Sequence, residues 1–394
     1  KLRLEENQKM PDEEFDVTPF DVEGQVDYDR LIDKFGTEEI DEELKQRFFD
    51  LAGDENLYVE RDFIYSHRGL DEALDEYEDG EGFFLYTGIG PSGKMHIGHI
   101  ISFYFTKWLQ EKFDVNVYIQ VTDDEKYWDR DVTDEEIDKY AKDNIREIAA
   151  AGFDPEKTFI FRNREYMGNM YDGIVKIAEK INNSQAQSVF GFEGSTNIGM
   201  NFWPAIQNIP TFFEEERCVI PAAIDQDPYW RIQRDIAEQF GHKKTAAIHS
   251  KFIPALTGPE GKMSSSKPKT AIMLDDSPEE VEEKVKKHAY SGGGDTLEEH
   301  REEGADLSVD TSFQWLRNLL MEDDERIREI AEEYSSGEMM TGEIKEILIE
   351  ELNDFLQEHQ ERKENADELV QKMMYEGELA QEMWDRKIDL KRRR

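Results

Sequence analysis

Apolar residues follow two different patterns along the chain, and the change between them comes near residue 275. Before that point, short runs rich in β-branched and aromatic residues alternate with longer segments that are apolar at helical spacing. The short runs predict buried strands, and the longer segments predict helices packed against them. The predicted strands lie at 83–87, 115–123, 218–225 and within 246–256, and the predicted helices lie at 37–50, 96–113, 133–151, 168–182 and 228–240.

The first two strands and the helix between them form a βαβ unit. Such a unit makes its two strands parallel and its connection right-handed. Short strands alternating with helices in this way are typical of α/β proteins. The predicted fold is therefore α/β, with a Rossmann-like, nucleotide-binding parallel sheet.

Beyond residue 275 the segments are long, amphipathic and poor in strand signals, which predicts a separate helical domain. The helical segments are expected at 277–289, 311–334, 341–362 and 364–385. The predicted division is an N-terminal extension at 1–65, a sheet domain at 66–275 with an insertion at roughly 130–215, and a helical domain at 276–394.

The chain carries 91 acidic and 48 basic residues, a formal net charge of −43. A charge of this sign repels phosphates and argues against a nucleic-acid partner. The acidic residues are spread along the whole chain, so they also fit a halophilic surface adapted to concentrated salt, where the Debye length falls to about 3 Å. The tail at 386–394 is a local basic exception, which either touches RNA or is a solvated end.

Further features of the sequence indicate the cellular compartment in which the protein works. Cys218 is the only cysteine, so an intramolecular disulfide is excluded. No apolar run reaches the roughly 18 residues that a membrane span needs, and the first residues lack the apolar core of a signal peptide. These features predict a cytoplasmic protein that does not associate with a membrane.

The turn after the first strand reads GIGPSGKMHIGH over residues 88–99. Gly88 and Lys94 fit the spacing of a P-loop, and VYIQVTDDE (117–125) would serve as its acidic strand. However, Met95 stands where a P-loop needs a hydroxyl for Mg²⁺. The P-loop interpretation therefore has one support and one mismatch.

A second interpretation of the same turn centres on its two histidines. His96 and His99 are three residues apart, so they share one face at the start of the predicted helix. Gly98 removes a side chain between them, which lets a flat ring approach the backbone. Two imidazoles at a helix N-terminus suit the phosphates of ATP. A chance pair of histidines is the plain alternative, and a zinc site lacks a third ligand nearby in sequence.

A second loop carries related chemistry. Residues 258–268 read GPEGKMSSSKP and follow the strand predicted within 246–256. A mobile loop with a lysine, Lys262, and three hydroxyls can close over phosphates. Taken alone, the same residues also fit a simple surface turn.

Together, HIGH at 96–99 and KMSSS at 262–266 resemble the signatures of class I aminoacyl-tRNA synthetases, which carry His-Ile-Gly-His and Lys-Met-Ser-Lys-Ser in this order. Longer stretches resemble the tryptophanyl-tRNA synthetases of the archaeal and eukaryotic type, from about residue 16 to 370. These stretches are 63–78, 84–88, 105–113, 120–127, 152–161, 189–192, 204–207, 220–235, 249–258 and 291–301.

The resemblance implies a two-step reaction. Tryptophan and ATP give tryptophanyl-adenylate and pyrophosphate, and the terminal ribose hydroxyl of tRNA(Trp) then attacks the acyl carbon. Mg²⁺ would arrive with the ATP phosphates, so no resident metal site is predicted. The resemblance also implies that 276–394 is an anticodon-binding domain and that the protein is a homodimer, with 189–210 as a plausible contact surface.

The resemblance further assigns site residues by position. Tyr86 and Gln120 match the residues that meet the indole N–H, which needs an acceptor in an apolar pocket. Glu125 matches an acid that holds the substrate ammonium, and Gln226 matches a polar contact to the amino acid. The catalytic positions are His96, His99 and Lys262, and the ATP-binding positions are Gly88, Gly90, Pro91, Gly98, Met263, Ser264, Ser265 and Ser266.

Two positions depart from the family pattern. Ser265 stands in place of the second lysine of the second signature, so Lys262 must supply most of the positive charge of the loop, with Lys267 as a helper. Ile89 stands where eukaryotic relatives have an arginine, and that phosphate contact is not carried over.

Three other functions compete with this interpretation. A tyrosyl-tRNA synthetase shares the fold and both signatures, but QVTDDEKY (120–127) and AIDQDPYWR (223–231) favour tryptophan. A P-loop NTPase is disfavoured by Met95 and by the KMSSS loop. A non-catalytic paralogue kept for RNA binding is disfavoured by the intact histidines and lysine of the two signatures.

Overall fold

The computed structural model describes residues 16–17, 22–23, 26–129, 132–263, 267–294 and 296–391. Its strands are, in chain order, β1 (Asp16–Val17), β2 (Val22–Glu23), β3 (Glu38–Glu39), β4 (Ile64–Arg68), β5 (Phe83–Ile89), β6 (Val117–Val121), β7 (Thr158–Arg162), β8 (Arg217–Ala223), β9 (Ala246–Ser250), β10 (Pro254–Ala255) and β11 (Gly258–Lys262).

The main sheet has seven strands in the order β3-β4-β9-β8-β5-β6-β7. Strands β9, β8, β5, β6 and β7 are parallel, and β4 and β3 extend the sheet antiparallel beyond β9. The chain passes from β5 to β6 on one side, whereas the neighbour on the other side, β8, comes later in the sequence. The strand order therefore reverses between β5 and β8, and ligands of α/β sheets bind beyond the carboxyl ends of the strands at such a point.

Helices surround this sheet and fill the C-terminal part of the chain. They are α1 (Tyr28–Phe35), α2 (Glu42–Ala52), α3 (Leu57–Glu60), α4 (Leu70–Glu78), α5 (Ile97–Phe113), α6 (Glu125–Asp129), α7 (Asp134–Ala150), α8 (Asn163–Ala178), α9 (Asn183–Phe190), α10 (Ile198–Asn208), α11 (Asp227–Phe240), α12 (Pro278–His288), α13 (Leu297–Glu303), α14 (Thr311–Trp315), α15 (Asp324–Ser335), α16 (Thr341–Glu364), α17 (Asp367–Gln371) and α18 (Glu378–Asp385).

Alternate side chains of the parallel strands enter two hydrophobic cores. Leu85 and Ile119 join a core with α5 and α7, whereas Phe84, Tyr118 and Phe159 join a second core with α8, α10 and α11. Because both faces of these strands are covered, the strands are almost continuously apolar, which is why they stand out in the sequence. The α/β fold with a parallel sheet is thus as predicted.

The individual strand predictions are confirmed for β5, β6, β8 and β9. Three strands of the main sheet, β3, β4 and β7, were not predicted. Strand β4 is short and places the polar residues Ser66 and His67 inside the protein, and β7 has only five residues. Both are strands because they pair with a sheet neighbour, which is a contact between distant parts of the chain.

The predicted helical character after residue 275 is confirmed, because the described residues beyond β11 contain no strand. The segment 311–334 is not one helix but α14, a π-helical turn at Leu316–Leu320 and α15. Helices α12, α14, α15 and α16 extend the first core, and α18 joins the second. The Trp384 ring of α18 packs nearly perpendicular to the Phe159 ring of β7, so α18 lies against the sheet.

The tail packs against α8 as far as the structure describes it. Ile388 and Leu390 are buried, and the N–H of Ile388 donates to the carbonyl oxygen of Asn169 at 2.8 Å. A solvated end is therefore wrong for these residues, while residues 392–394 lie outside the described part. No helix in the described ranges is long and apolar enough to cross a membrane.

Candidate active site

Helix α5 begins at the first signature, close to the carboxyl end of β5. His96 directly precedes the helix with an extended backbone, and its N–H donates to Nδ1 of His99 at 3.3 Å. The two imidazole rings stack with their centroids 3.7 Å apart. Gly98 borders the same space, since a Cβ on it would lie 3.0 Å from the His96 ring. The flat ring that approaches Gly98 in this structure is therefore that of His96.

Two backbone hydrogen bonds tie this helix start to the chain that follows the second signature. The N–H of Ile97 donates to the carbonyl oxygen of Ile272 at 3.0 Å. The N–H of Leu274 donates to the carbonyl oxygen of Met95 at 3.1 Å. We call residues 271–274 the joining segment, because it connects two signatures that are far apart in the sequence.

The backbone of the second signature also lies near the first. Lys262 ends β11 in a hairpin with β10, and the N–H of the buried Met263 donates to the carbonyl oxygen of Ile253 at 3.3 Å. The Ile253 side chain in turn lies 3.9 Å from a Cβ on Gly98. Ser264, Ser265 and Ser266 lie outside the described residues. The structure thus brings Met263 and the backbone of Lys262 towards the start of α5.

Pro91 and Lys94 lie in the turn between β5 and α5. Pro91 is buried, whereas Lys94 is exposed and its ammonium lies 2.5 Å from the Asp275 carboxylate. The hydrogen bond with Asp275 raises the pKa of Lys94. Because this lysine has a carboxylate partner on the surface, the geometry fits the interpretation in which Lys94 is not the phosphate lysine of a P-loop.

The side chains of Tyr86 and Gln120 meet in the interior, near the carboxyl ends of β5 and β6. The Tyr86 Oη lies 2.5 Å from Gln120 Oε1 and 3.1 Å from the carbonyl oxygen of Gln207. Burial raises the pKa of Tyr86 well above its usual value, so the hydroxyl keeps its single proton at neutral pH. The Trp230 ring is nearly perpendicular to the Tyr86 ring, with the ring centroids 5.6 Å apart. Oxygen acceptors therefore lie beside an aromatic ring at this place.

Glu125 opens α6 just beyond β6. Its carboxylate accepts a hydrogen bond from the Thr122 hydroxyl at 3.0 Å and pairs with the Lys126 ammonium at 2.9 Å. Lys126 occupies the space that Gly90 leaves open, since a Cβ on Gly90 would lie 2.5 Å from Lys126 Cε. A substrate ammonium would therefore meet a buried carboxylate that already holds one cation.

Gly88 and Gln226 lie on the same edge of the sheet. Gly88 is opposite Gln120 in the parallel register, and a Cβ on it would lie 2.6 Å from the Gln120 carbonyl oxygen, so Gly88 has a packing reason of its own. Gln226 is half-buried in the 3₁₀ turn after β8. Helix α11 follows this turn directly and carries Trp230 to Tyr86.

Gln207 is a site residue that the sequence analysis did not single out. It lies in the last turn of α10, and besides the carbonyl oxygen near Tyr86 it has a buried side-chain oxygen with no hydrogen-bond partner among the described residues. Its signal in the sequence is an amide beside Asn208 at the end of the largely apolar helix IGMNFWPAIQN. A buried acceptor without a partner at this place points to a donor on a ligand.

Asn163 and Asp124 were also missed, although both lie directly behind Gln120. The Gln120 Nε2 donates to Asn163 Oδ1 at 2.8 Å and to the Ile206 carbonyl oxygen at 3.1 Å, and Asn163 Nδ2 donates to Asp124 Oδ1 at 2.8 Å. Burial raises the pKa of Asp124 to about 6, and the charge of Asp123 adds to this shift. No local pattern reveals these contacts, because they join separate segments of the chain.

Comparison with known proteins adds three findings to this geometry. The family described as tRNA synthetases class I (W and Y) matches residues 78–357. The tryptophan–tRNA ligase of Saccharolobus solfataricus is 57% identical over 378 residues, which cover 96% of this chain and 99% of that protein.

The third finding concerns solved structures. A product-bound parasite tRNA synthetase has a TM-score of 0.86 and 41% identity, covering 90% of this chain and 98% of that one. The tryptophanyl-tRNA synthetase of Giardia lamblia has a TM-score of 0.85 and 36% identity, covering 89% of this chain and 96% of that one.

Proposed function

Because this chain belongs to the tryptophanyl-tRNA synthetases of class I, we propose that the site beyond β5, β6 and β8 forms tryptophanyl-adenylate from tryptophan and ATP and transfers the acyl group to tRNA(Trp). One observation carries the assignment of the site. The buried Tyr86–Gln120 pair lies at the same sheet edge as the start of α5, so a ring-binding pocket adjoins an anion-binding helix N-terminus.

The amino acid binds through its ring and its ammonium. Indole has one N–H donor, and it donates to the oxygens of Tyr86 and Gln120. The Tyr86 hydroxyl then turns its own proton to the carbonyl oxygen of Gln207, which lies within reach. Glu125 holds the ammonium in a buried position where a charge pair is strong, and Gln226 adds a polar contact.

ATP binds across the start of α5. His96, His99 and the positive end of the helix face the phosphates, and Lys262 approaches them from the second signature. Gly90 and Pro91 shape the turn beside them, Gly88 keeps β5 close to β6, and Gly98 makes room at the helix start. The second-signature loop, with Met263, Ser264, Ser265 and Ser266, closes over the triphosphate.

The chemistry needs positioning and electrostatic stabilisation rather than a protein nucleophile. A tryptophan carboxylate oxygen attacks the α-phosphorus, and the bond from that phosphorus to pyrophosphate breaks. In the second step the terminal ribose hydroxyl of tRNA(Trp) attacks the acyl carbon, and AMP leaves. Imidazole, helix N–H groups and lysine stabilise the negative charge that moves from the attacking oxygen to the leaving pyrophosphate. Mg²⁺ enters with ATP, since it binds mainly through substrate phosphates.

The remaining parts of the proposal concern the whole protein. Residues 276–394 form the anticodon-binding domain, and the protein works in the cytoplasm of a cell rich in salt. Two copies form a homodimer through the region around 189–210. This last point is supported by exposed apolar side chains on α8 and at the start of α10, namely Tyr171, Val175 and Ile198.

Tryptophan-dependent ATP–pyrophosphate exchange in high KCl tests the function. We expect exchange with tryptophan and none with tyrosine. Replacing His99→Ala should lower the rate by about 10²- to 10³-fold, because a group that stabilises moving charge is lost.

Lys94→Ala is the matched control for His99→Ala, because Lys94 is a cationic residue in the turn that leads into the same helix. We expect this variant to stay within about threefold of the wild type, because its exposed ion pair contributes little. A P-loop enzyme would show the reverse order of the two variants. Exchange with tyrosine and not with tryptophan would overturn the assignment.

A further inference from the structure

A buried line of hydrogen bonds runs from Asp124 through Asn163 and Gln120 to Tyr86. The three links are 2.8, 2.8 and 2.5 Å long. Gln120 and Asn163 are completely buried, and Asp124 and Tyr86 nearly so. No water separates these groups from one another at such distances, so each bond fixes the next side chain in the line.

The line has a direction that is set at the Asp124 end. An ionised carboxylate only accepts hydrogen bonds, so it requires the NH₂ group of Asn163 to face it. The Asn163 oxygen must then face Gln120, whose NH₂ group turns towards it. As a result, the remaining atom of the Gln120 amide, its oxygen, is presented at the ring-binding end of the pocket.

The surroundings of Asp124 suggest that this orientation is its main task. Its Oδ1 accepts from Asn163 and from the N–H of Glu125, while its Oδ2 is buried with no partner among the described residues. Buried carboxylates that serve structure usually have both oxygens satisfied. This one keeps a single side-chain donor, and that donor is Asn163.

We propose that Asn163, oriented by Asp124, is a positioning residue that holds the Gln120 oxygen towards the ring of the substrate and so contributes to the selection of amino acids with a ring N–H. The proposal rests on the proposed function. The Ile206 carbonyl oxygen, 3.1 Å from Gln120 Nε2, takes the second proton of the amide and supports the same orientation. Without Asn163 the Gln120 amide loses the shorter of its two N–H acceptors. A turned Gln120 amide would then present NH₂ to the indole N–H.

The test compares tryptophan with L-3-benzothienylalanine, in which sulfur replaces the ring N–H in a ring of similar shape. For each enzyme, kcat/KM in pyrophosphate exchange is measured with both amino acids. In Asn163→Leu we expect the preference for tryptophan to fall by about tenfold, the effect of one buried hydrogen bond. Tyr118→Phe is the control, because it removes a different, partly buried hydrogen bond of β6, to Glu214, and should leave the preference unchanged.

A double variant, Asp124→Asn with Asn163→Asp, keeps the volume of both side chains. It moves the negative charge from position 124 to its hydrogen-bond partner at position 163. The carboxylate now at position 163 would accept from Gln120 and from the new amide at position 124. The Gln120 amide would keep its orientation, so we expect the preference for tryptophan to return to within about threefold of the wild type.

An unchanged preference in Asn163→Leu, whatever its absolute activity, would overturn the proposal. If Asn163→Leu does not unfold cooperatively, it is not properly folded and the double variant decides. Loss of the preference for tryptophan in the double variant would then overturn the proposal. Inactivity of the wild-type protein with tryptophan would count against the proposed function itself, which separates the two failures.

Discussion

Asp124 is a charged residue in a place that does not favour charge. The burial that raises its pKa to about 6 means that the ionised form, present at neutral pH, is less stable here than in water. A hydrogen bond from Asn163 compensates only in part. Destabilising groups of this kind are retained where function needs them, which agrees with its place behind the ring-binding pocket.

This carboxylate gives the stability of the protein a defined pH dependence. An unfolded aspartate has a pKa of about 3.9, so between roughly pH 4 and 6 the folded protein binds a proton that the unfolded chain does not. The contribution of Asp124 to stability therefore falls as the pH rises through this window. In Asp124→Asn, which stays neutral, we expect the free energy of unfolding relative to wild type to increase from pH 4 to pH 6.5, measured by urea unfolding at constant KCl. A constant difference would contradict the burial of the charge.

At this scale the sequence predicts the residues that belong to recognisable signatures. Tyr86 lies in β5 and Gln120 in β6, two strands that were predicted, and Glu125 opens α6 just beyond β6. Asn163 escapes prediction because its contact with Gln120 depends on the register of β6 against β7, where Gln120 is opposite Phe161. The register between two strands that are distant in sequence cannot be predicted from the residues of either strand alone.

At the scale of elements, the joining segment is held from both sides. The N–H of Met273 donates to the Asp276 carboxylate at 2.8 Å, and Lys284 of α12 pairs with the same carboxylate at 2.6 Å. On its other side the segment pairs with the start of α5. Helix α12 therefore supports the position of the histidine signature through Asp276.

Replacing Asp276→Ala should loosen the joining segment and the start of α5 with it. We expect KM for ATP to rise about five- to tenfold while KM for tryptophan changes less than about twofold, since the loss corresponds to one or two hydrogen bonds on the ATP side only. Asp275→Ala is the matched control, because the neighbouring carboxylate forms an exposed pair with Lys94 on the surface. Equal effects of the two variants, or equal effects on both substrates, would contradict this role.

Helix boundaries show where local patterns stop being sufficient. The helix predicted at 168–182 begins five residues earlier, because the Asp123 carboxylate, from another segment, accepts a hydrogen bond from the N–H of Arg164. The segment 198–208 was not predicted as a helix, because it belongs to a stretch that contains Gly and Asn; the structure forms a helix there with Pro204 inside it. A tertiary contact therefore accounts for the start of α8.

At the scale of the whole molecule, charge is the dominant property. A net charge of −43 makes the folded protein repel itself, because folding brings the carboxylates closer together. Individual surface ion pairs offset little of this repulsion. Dissolved salt screens it over distances of about 10 Å at 0.1 M and about 3 Å at 1 M.

We therefore expect the thermal unfolding temperature to rise steeply from dilute buffer to molar KCl, with exchange activity following the same curve. Sucrose is the control, because it stabilises compact states by exclusion from the surface but does not screen charge. Sucrose without KCl should therefore not restore the unfolding temperature or the exchange activity. Complete folding and full activity in dilute buffer would contradict the interpretation of the surface as adapted to salt.

The pairing of the joining segment with the start of α5 also governs when the protein becomes competent during its synthesis. A ribosome that adds about 5–20 residues per second completes the joining segment roughly 10 to 35 s after the histidine signature. Until then the N–H of Ile97 and the carbonyl oxygen of Met95 lack their partners. A nascent chain thus displays its first signature long before it has a nucleotide site, and translation of the second signature sets the moment at which ATP can bind.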